Sequence, residues 1–138
     1  MKNQLFALIG LGLLLATASA YAQTGTVKSN VPFNFTVDTA DLPAGEYTFH
    51  TLGTTEQAMA IESSDGNVAK VILPNACVSP HAQEKTKLVF RRYGAQYFLA
   101  QIWIEGRERG KELPLTKREK EVAMDYPAQS VVVVATLR

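Results

Sequence analysis

Few side chains in this sequence are suited to chemistry, and they are scattered. The chain has one cysteine, Cys77 in "PNACVSP", and two histidines, His50 and His81. Zinc is held by three or four Cys, His, Asp or Glu ligands at close spacing. Cys77 and His81 make at most a partial set, and His50 has no second histidine near it. The same Cys77–His81 pair would have to act as nucleophile and base, which calls for a thiol on a constrained turn with the base beside it. "PNACVSP" instead looks like a strand end, without the helix N-terminus that lowers a thiol pKa. A lone cysteine cannot close an intrachain disulfide. Cys77 is therefore a small hydrophobe, an intermolecular pairing point or a nucleophile. The glycines are spread over turns and build no phosphate loop. No catalytic, metal-binding or cofactor-binding residue is assigned.

A second pattern concerns recognition. "RRYGAQYFLAQIW" places Arg91, Arg92, Tyr93, Tyr97 and Trp103 around one turn, and Arg, Tyr and Trp are the residue types that dominate interface hot spots. With Arg107 and Arg109 just downstream they form the candidate interaction surface. The competing account makes the aromatics core and the arginines cation–π lids at its rim. Successive strand residues point to opposite faces, so Arg91 and Arg92 cannot form a two-pronged clamp without a bulge between them.

The elements that must position these residues are strands. Short runs of Val, Ile, Phe, Tyr and Thr alternate with turn chemistry about every ten residues, the pattern of an all-β sandwich or barrel. Val31, Phe33, Phe35 and Val37 alternate with Pro32, Asn34 and Thr36 as a half-buried first strand. "LPAG" supplies a turn, and Gly45 to Leu52 follows with Tyr47 and Phe49 on one face. Asp65-Gly66 suits a two-residue hairpin in which both positions take positive φ, joining Gln57–Glu62 to Val68–Leu73. Pro74 and Pro80 confine the Cys77 segment to a sheet edge or irregular chain, and Ser79 to Thr86 is a polar loop. A Gly94-Ala95 turn sets Arg92 opposite Tyr97, Arg91 opposite Phe98 and Phe90 opposite Leu99. The next strand, Gln96 to Ile104, carries Tyr97, Leu99 and Trp103 on one face and Phe98, Ala100, Ile102 and Ile104 on the other. Such a strand is expected to be covered on both sides.

From Glu105 to Glu121 six basic and five acidic residues interleave, as in a solvated, ion-paired face or a partner-docking surface. Thr116 and Glu119 stand at capping-box spacing and predict a short helix from Lys117 to about Met124, stopped before Pro127. "SVVVVATLR" predicts a last, buried strand paired inside the sheet, because an exposed run of this kind would aggregate. No internal repeat or low-complexity region is present.

The first residues, "MKNQLFALIGLGLLLATASAYAQ", predict export. Lys2 gives a positive n-region, Leu5 to Leu15 an apolar h-region, and two A-x-A frames follow, Ala18-Ser19-Ala20 and Ala20-Tyr21-Ala22. The apolar stretch, about 16 residues, is short of the roughly 20 that a spanning helix needs. Cleavage after Ala22 assigns 1–22 to a signal peptide and 23–138 to a single β domain with no transmembrane segment, periplasmic or extracellular. The 138-residue chain has 14 basic and 13 acidic side chains, so loss of Lys2 leaves 13 of each. That balance argues against a nucleic-acid binder, which shows a basic excess.

The pieces "VPFNFTVDTADLPAGEYTF", "LVFRRYGAQYFLAQIW" and "GRERGKELPLTKREKEVA" together resemble an uncharacterised family of small secreted proteins of soil bacteria. Its members share the same order: signal peptide, VPF strand, LPAGxY turn, aromatic hairpin and ELPxxxREKE-like segment. The resemblance implies secretion and brings no catalytic residues. The expected fold is all-β, a small antiparallel β-sandwich or partly open barrel of about seven or eight strands, with one short helix before the last strand. The expected function is non-enzymatic: a binding or cell-envelope interaction module, with an unknown protein or cell-envelope component as partner. The alternative is a small-ligand carrier with an apolar barrel cavity, and an enzyme of unknown class comes third.

Overall fold

A computed structural model describes residues 25–137; the expected signal peptide, 1–22, lies outside them. Two antiparallel sheets face each other as an open sandwich, the all-β fold expected. The first sheet has the spatial order β12 (Thr136–Leu137), β1 (Val27–Val31), β4 (Gly45–Leu52), β5 (Ala58–Ser63), β6 (Ala69–Ile72). The second runs β11 (Gln129–Val134), β8 (Lys87–Tyr93), β9 (Gln96–Trp103), β10 (Arg109–Glu112), β7 (Asn75–Val78). A short hairpin, β2 (Phe35–Val37) with β3 (Ala40–Leu42), joins the second sheet through a parallel bridge from Thr36 to Phe98. Twelve strands are present among the described residues, more than the seven or eight expected. Two apolar runs are cut where the chain changes sheet, and three further short strands, β3 (Ala40–Leu42), β7 and β10, form in segments expected as turn, edge or charged chain.

The first such cut falls at Pro32. The expected continuous strand from Val31 to Val37 ends as β1 at Val31 and restarts as β2 at Phe35. Proline has no N–H to continue a ladder, and residues 32–34 carry the chain from one sheet to the other. The crossing is fixed by Phe33, stacked on Tyr97 at 3.8 Å between ring centroids, and by the Asn34 Oδ1, which accepts from the Ala44 N–H at 2.9 Å.

The second cut corrects the expected buried C-terminal strand. β11 lies at a sheet edge, bonded to β8 alone within its sheet, and shows Val132 and Val134 to solvent at 53% and 60% exposure. Ala135 is buried at the crossing, and β12 then pairs with β1 in the other sheet. Edge position, with Val131 and Val133 turned toward the core and their neighbours outward, gives the four valines a half-buried face. Cys77 also lies at an edge, on β7, as Pro74 and Pro80 required.

The Gly94-Ala95 hairpin has the expected register: Arg92 opposite Tyr97, Arg91 opposite Phe98, Phe90 opposite Leu99. Beyond it the expected alternation fails. Val89 pairs with Gln101 while Phe90 pairs with Leu99, so Ala100 is an extra residue, a β-bulge. The bulge shifts the face assignment. Leu99 and Ile102 enter the inter-sheet core with Phe49, Ile61, Leu88 and Phe90, and Tyr97 and Ile104 pack against it. Trp103, expected beside Leu99, is buried but lies outside that core, on the outer face.

The Asp65-Gly66 turn is also wider than expected. Gly66 has φ +77°, but Asp65 has no positive φ. The Ser63 N–H bonds to the Val68 carbonyl at 2.9 Å and the Gly66 N–H to the Ser63 carbonyl at 3.0 Å. Asp65 Oδ1 accepts from the Asn67 N–H at 3.0 Å. Four residues, 64–67, make the connection, with glycine alone in the left-handed region.

One helix, α1 (Lys117–Asp125), precedes β11, and its Thr116 N-cap oxygen accepts from the Glu119 N–H at 3.2 Å. It packs on the outer face of the second sheet.

Candidate functional site

The seven residues of the expected interaction surface do not come together. Arg91 and Arg92 leave β8 on opposite faces, as adjacent strand residues must. Arg91 turns outward beneath the helix. Its Nε donates to Glu119 Oε2, and its Nη2 donates to Glu119 Oε1 and to the Leu113 carbonyl, each at 3.1 Å. The Tyr93 hydroxyl donates to Glu119 Oε2 at 2.8 Å. Glu119 is 2% exposed, so a carboxylate expected on a solvated face is instead buried under a forked arginine and a tyrosine. A buried charge persists only when paired and hydrogen-bonded, and here both oxygens are engaged. Burial works against the charge on Arg91, but the bonds and charge of Glu119 outweigh it and hold the guanidinium pKa above its ordinary value. Burial, and then the anionic partner, push the Tyr93 phenol up as well.

Arg92 sits on the other face at the hairpin tip. Its Nε donates to the Gly94 carbonyl at 2.8 Å, and its guanidinium lies 5.5 Å from the centre of the Tyr97 ring. Tyr97 carries Phe33 as a stacked partner. Trp103 donates from Nε1 to Gln101 Oε1 at 2.9 Å and lies against Gly110, where a Cβ would stand 2.6 Å from the indole. Four of these five are packed or bonded within the fold, and Arg92 is an exposed cap on the hairpin tip.

Arg107 and Arg109 lie at the far end of β9 from the hairpin, where the sheets part around a mouth of about 250 Å³. Its floor is apolar: Ile104 is half-buried there, and Val27, Phe49, Met59 and Ile102 stand behind it as covered core residues, none more than 5% exposed. Its rim carries Arg107, Arg109, Lys111, His50 and Glu56. Strand geometry explains the rim. Gly110 meets Trp103 on the outer face, and Gln101 Nε2 donates to Glu112 there at 3.3 Å. Alternation then turns Arg109 and Lys111 inward. Lys111 Nζ donates to the Glu56 carbonyl at 2.7 Å, which ties the β4–β5 loop of one sheet to β10 of the other. Glu56 has φ +56°, unusual for a residue with a side chain, and this bond helps to hold it. Neither Arg107 nor Arg109 forms an ion pair with another described residue.

The strand that places these cations was not anticipated. Its signal is the period-two spacing of Arg107, Arg109 and Lys111 in "GRERGKE", one face of a strand by the alternation rule. The signal for buried Glu119 is its capping-box spacing. Half the box forms, with Thr116 accepting the Glu119 N–H, while the carboxylate that would reach back to the cap is held by Arg91 and Tyr93.

Cys77 lies across from Gly110 on the edge strand, half-buried. Burial, and then the charge of Glu112, push its thiol pKa up, away from thiolate chemistry. His81 stays in an exposed loop. Among the described residues no group of three or more His, Cys, Asp or Glu side chains could hold a metal ion, and no helix is long and apolar enough to cross a membrane. No protein-family model, curated protein or solved structure matches the chain.

Proposed function

We propose that this is an exported, non-enzymatic binding protein of the small secreted family that its sequence resembles, and that it holds a small cell-envelope molecule in the mouth between its sheets. One observation carries the proposal. Three cationic side chains on one face of a strand and its approach overhang an apolar floor, while the other candidate residues have partners of their own in the helix contact, the hairpin tip and β9. A concave, largely apolar site with a few convergent polar groups is the usual form of a small-molecule site.

The test is to isolate the exported protein from its own cells and extract the folded fraction with organic solvent. The intact mass is expected to begin at Gln23, and the extract to yield a bound small molecule. An Ile104→Trp variant, which fills the mouth, is expected to lose that molecule while remaining folded. Retention of the Met1 segment would overturn export, and equal yields from both proteins would overturn the site.

A protein partner is the second possibility, and a specific feature favours it. Leu73 and Val78 flank the β6–β7 edge at 73% and 71% exposure, apolar surface at the place where a further strand would add.

A further inference from the structure

We propose that the mouth selects an anionic amphiphile, an acyl chain ending in a carboxylate or phosphate monoester. The chain enters against the half-buried Ile104, in front of the covered Phe49, Met59 and Ile102, and the head is taken by Arg107 and Arg109. This rests on the mouth being the binding site, and goes further by naming what binds there.

Shape comes first. A mouth of about 250 Å³ is small beside the usual 300–1,000 Å³ of ligand sites. It suits a single short chain or the end of a longer one. The floor offers no charged group to such a chain, so binding there is driven by apolar burial, and each added methylene is expected to tighten it about fourfold until the mouth is full.

Charge then decides the head. The lining carries Arg107, Arg109 and Lys111 against the single carboxylate of Glu56. Lys111 is committed to the Glu56 carbonyl, whereas Arg107 and Arg109 are exposed and make no ion pair with described residues. A guanidinium is a planar fork of donors that fits carboxylate or phosphate with two parallel bonds. Two of them at the edge of an apolar floor bind a negative head far more strongly than a hydroxyl, which accepts only a weaker single bond, and repel an ammonium.

Isothermal titration of the processed protein with octanoate, octyl phosphate, octanol and octylammonium, all below micellar concentrations, tests this. One octanoate or octyl phosphate is expected per protein, with octanol at least tenfold weaker and octylammonium weaker still. Whichever anion binds more tightly identifies the head as a free acid or a phosphorylated lipid. Decanoate, with two more methylenes, is expected to bind about fifteenfold more tightly than octanoate. Arg107→Gln and Arg109→Gln should each weaken the anions about tenfold and leave octanol unchanged, with thermal melts confirming the fold. Octanol binding as tightly as octanoate, and indifferent to both substitutions, would overturn the anionic head while leaving the mouth as an apolar site. No binding by any of the chains would overturn the mouth as a site altogether.

Discussion

Arg91 on β8 and Glu119 on α1 form a forked ion pair that fastens the only helix among the described residues to the outer face of the second sheet. The carboxylate is fully covered, whereas the Arg91 side chain keeps 20% of its surface exposed. Removing one member of a buried pair costs about 3–5 kcal/mol, because the other stays buried and uncompensated. With Arg91 partly in contact with water, we expect Glu119→Ala to cost about 2–3 kcal/mol in urea unfolding. Replacing both, Arg91→Met with Glu119→Leu, should recover much of the loss. Arg92 next door is exposed, so Arg92→Ala should cost only about 0.5 kcal/mol. Equal losses for Arg91→Ala and Arg92→Ala would contradict this division of roles.

Gly110 is where the backbone of β10 passes beneath Trp103. An added Cβ would meet three indole atoms at 2.6–2.8 Å. Overpacking of this kind costs about 1–3 kcal/mol. Gly110→Ala should therefore lower the Tm and alter tryptophan fluorescence; a neutral result would mean that the indole moves aside freely.

Gly66 is demanding for a different reason. Nothing lies within 4 Å of a Cβ built there, but its φ is +77°, so the penalty comes from the backbone alone. Gly66→Val should destabilise by about 1 kcal/mol or more, and Gly66→Asn by clearly less, since asparagine tolerates the left-handed region. Identical costs for the two would rule out that conformation.

Asp41 links pH to the β2–β3 hairpin. The Thr36 hydroxyl donates to it at 2.8 Å and Arg118 reaches it at 2.9 Å, and these two in that order pull its pKa below the ordinary value of 3.8. A depressed folded pKa stabilises above the unfolded value of about 3.9, and the contribution disappears as pH falls through the folded value. The group is exposed, so the effect is small and salt-sensitive. A carboxyl NMR titration should place the Asp41 midpoint below 3.8, and Arg118→Ala should raise it. No change on losing Arg118 would leave Thr36 as the sole cause.

Local pattern alone revealed much of this architecture. Gly45 to Leu52, the Gly94-Ala95 hairpin register and the helix start at Lys117 all follow from alternation, turn residues and cap spacing, which act between near neighbours. What stayed hidden depends on distant partners. The Ala100 bulge is settled by where β8 and the core require Leu99 and Ile102, and nothing in "FLAQIW" marks the extra residue. The change of sheet at Ala135 is visible only once β1 is known to lie beside it. Glu119 looked solvated because its partners, Arg91 and Tyr93, are more than two dozen residues away. At the site, Arg107 and Arg109 were picked out as cations near an aromatic strand. The mouth they overhang is made by Phe49 and Met59 from the opposite sheet, which no local pattern connects to them.

Backbone amide chemical-shift mapping during an octanoate titration tests the central claim, the mouth between the sheets, most directly. The account predicts that the amides of Phe49, Met59, Ile102, Ile104 and Arg109 shift together and saturate with one affinity. Those of Tyr93, Phe98 and Glu119 should stay still. Shifts gathered instead at the hairpin from Arg91 to Tyr97, or along the β6–β7 edge, would contradict it and return the binding surface to the outside of the sandwich.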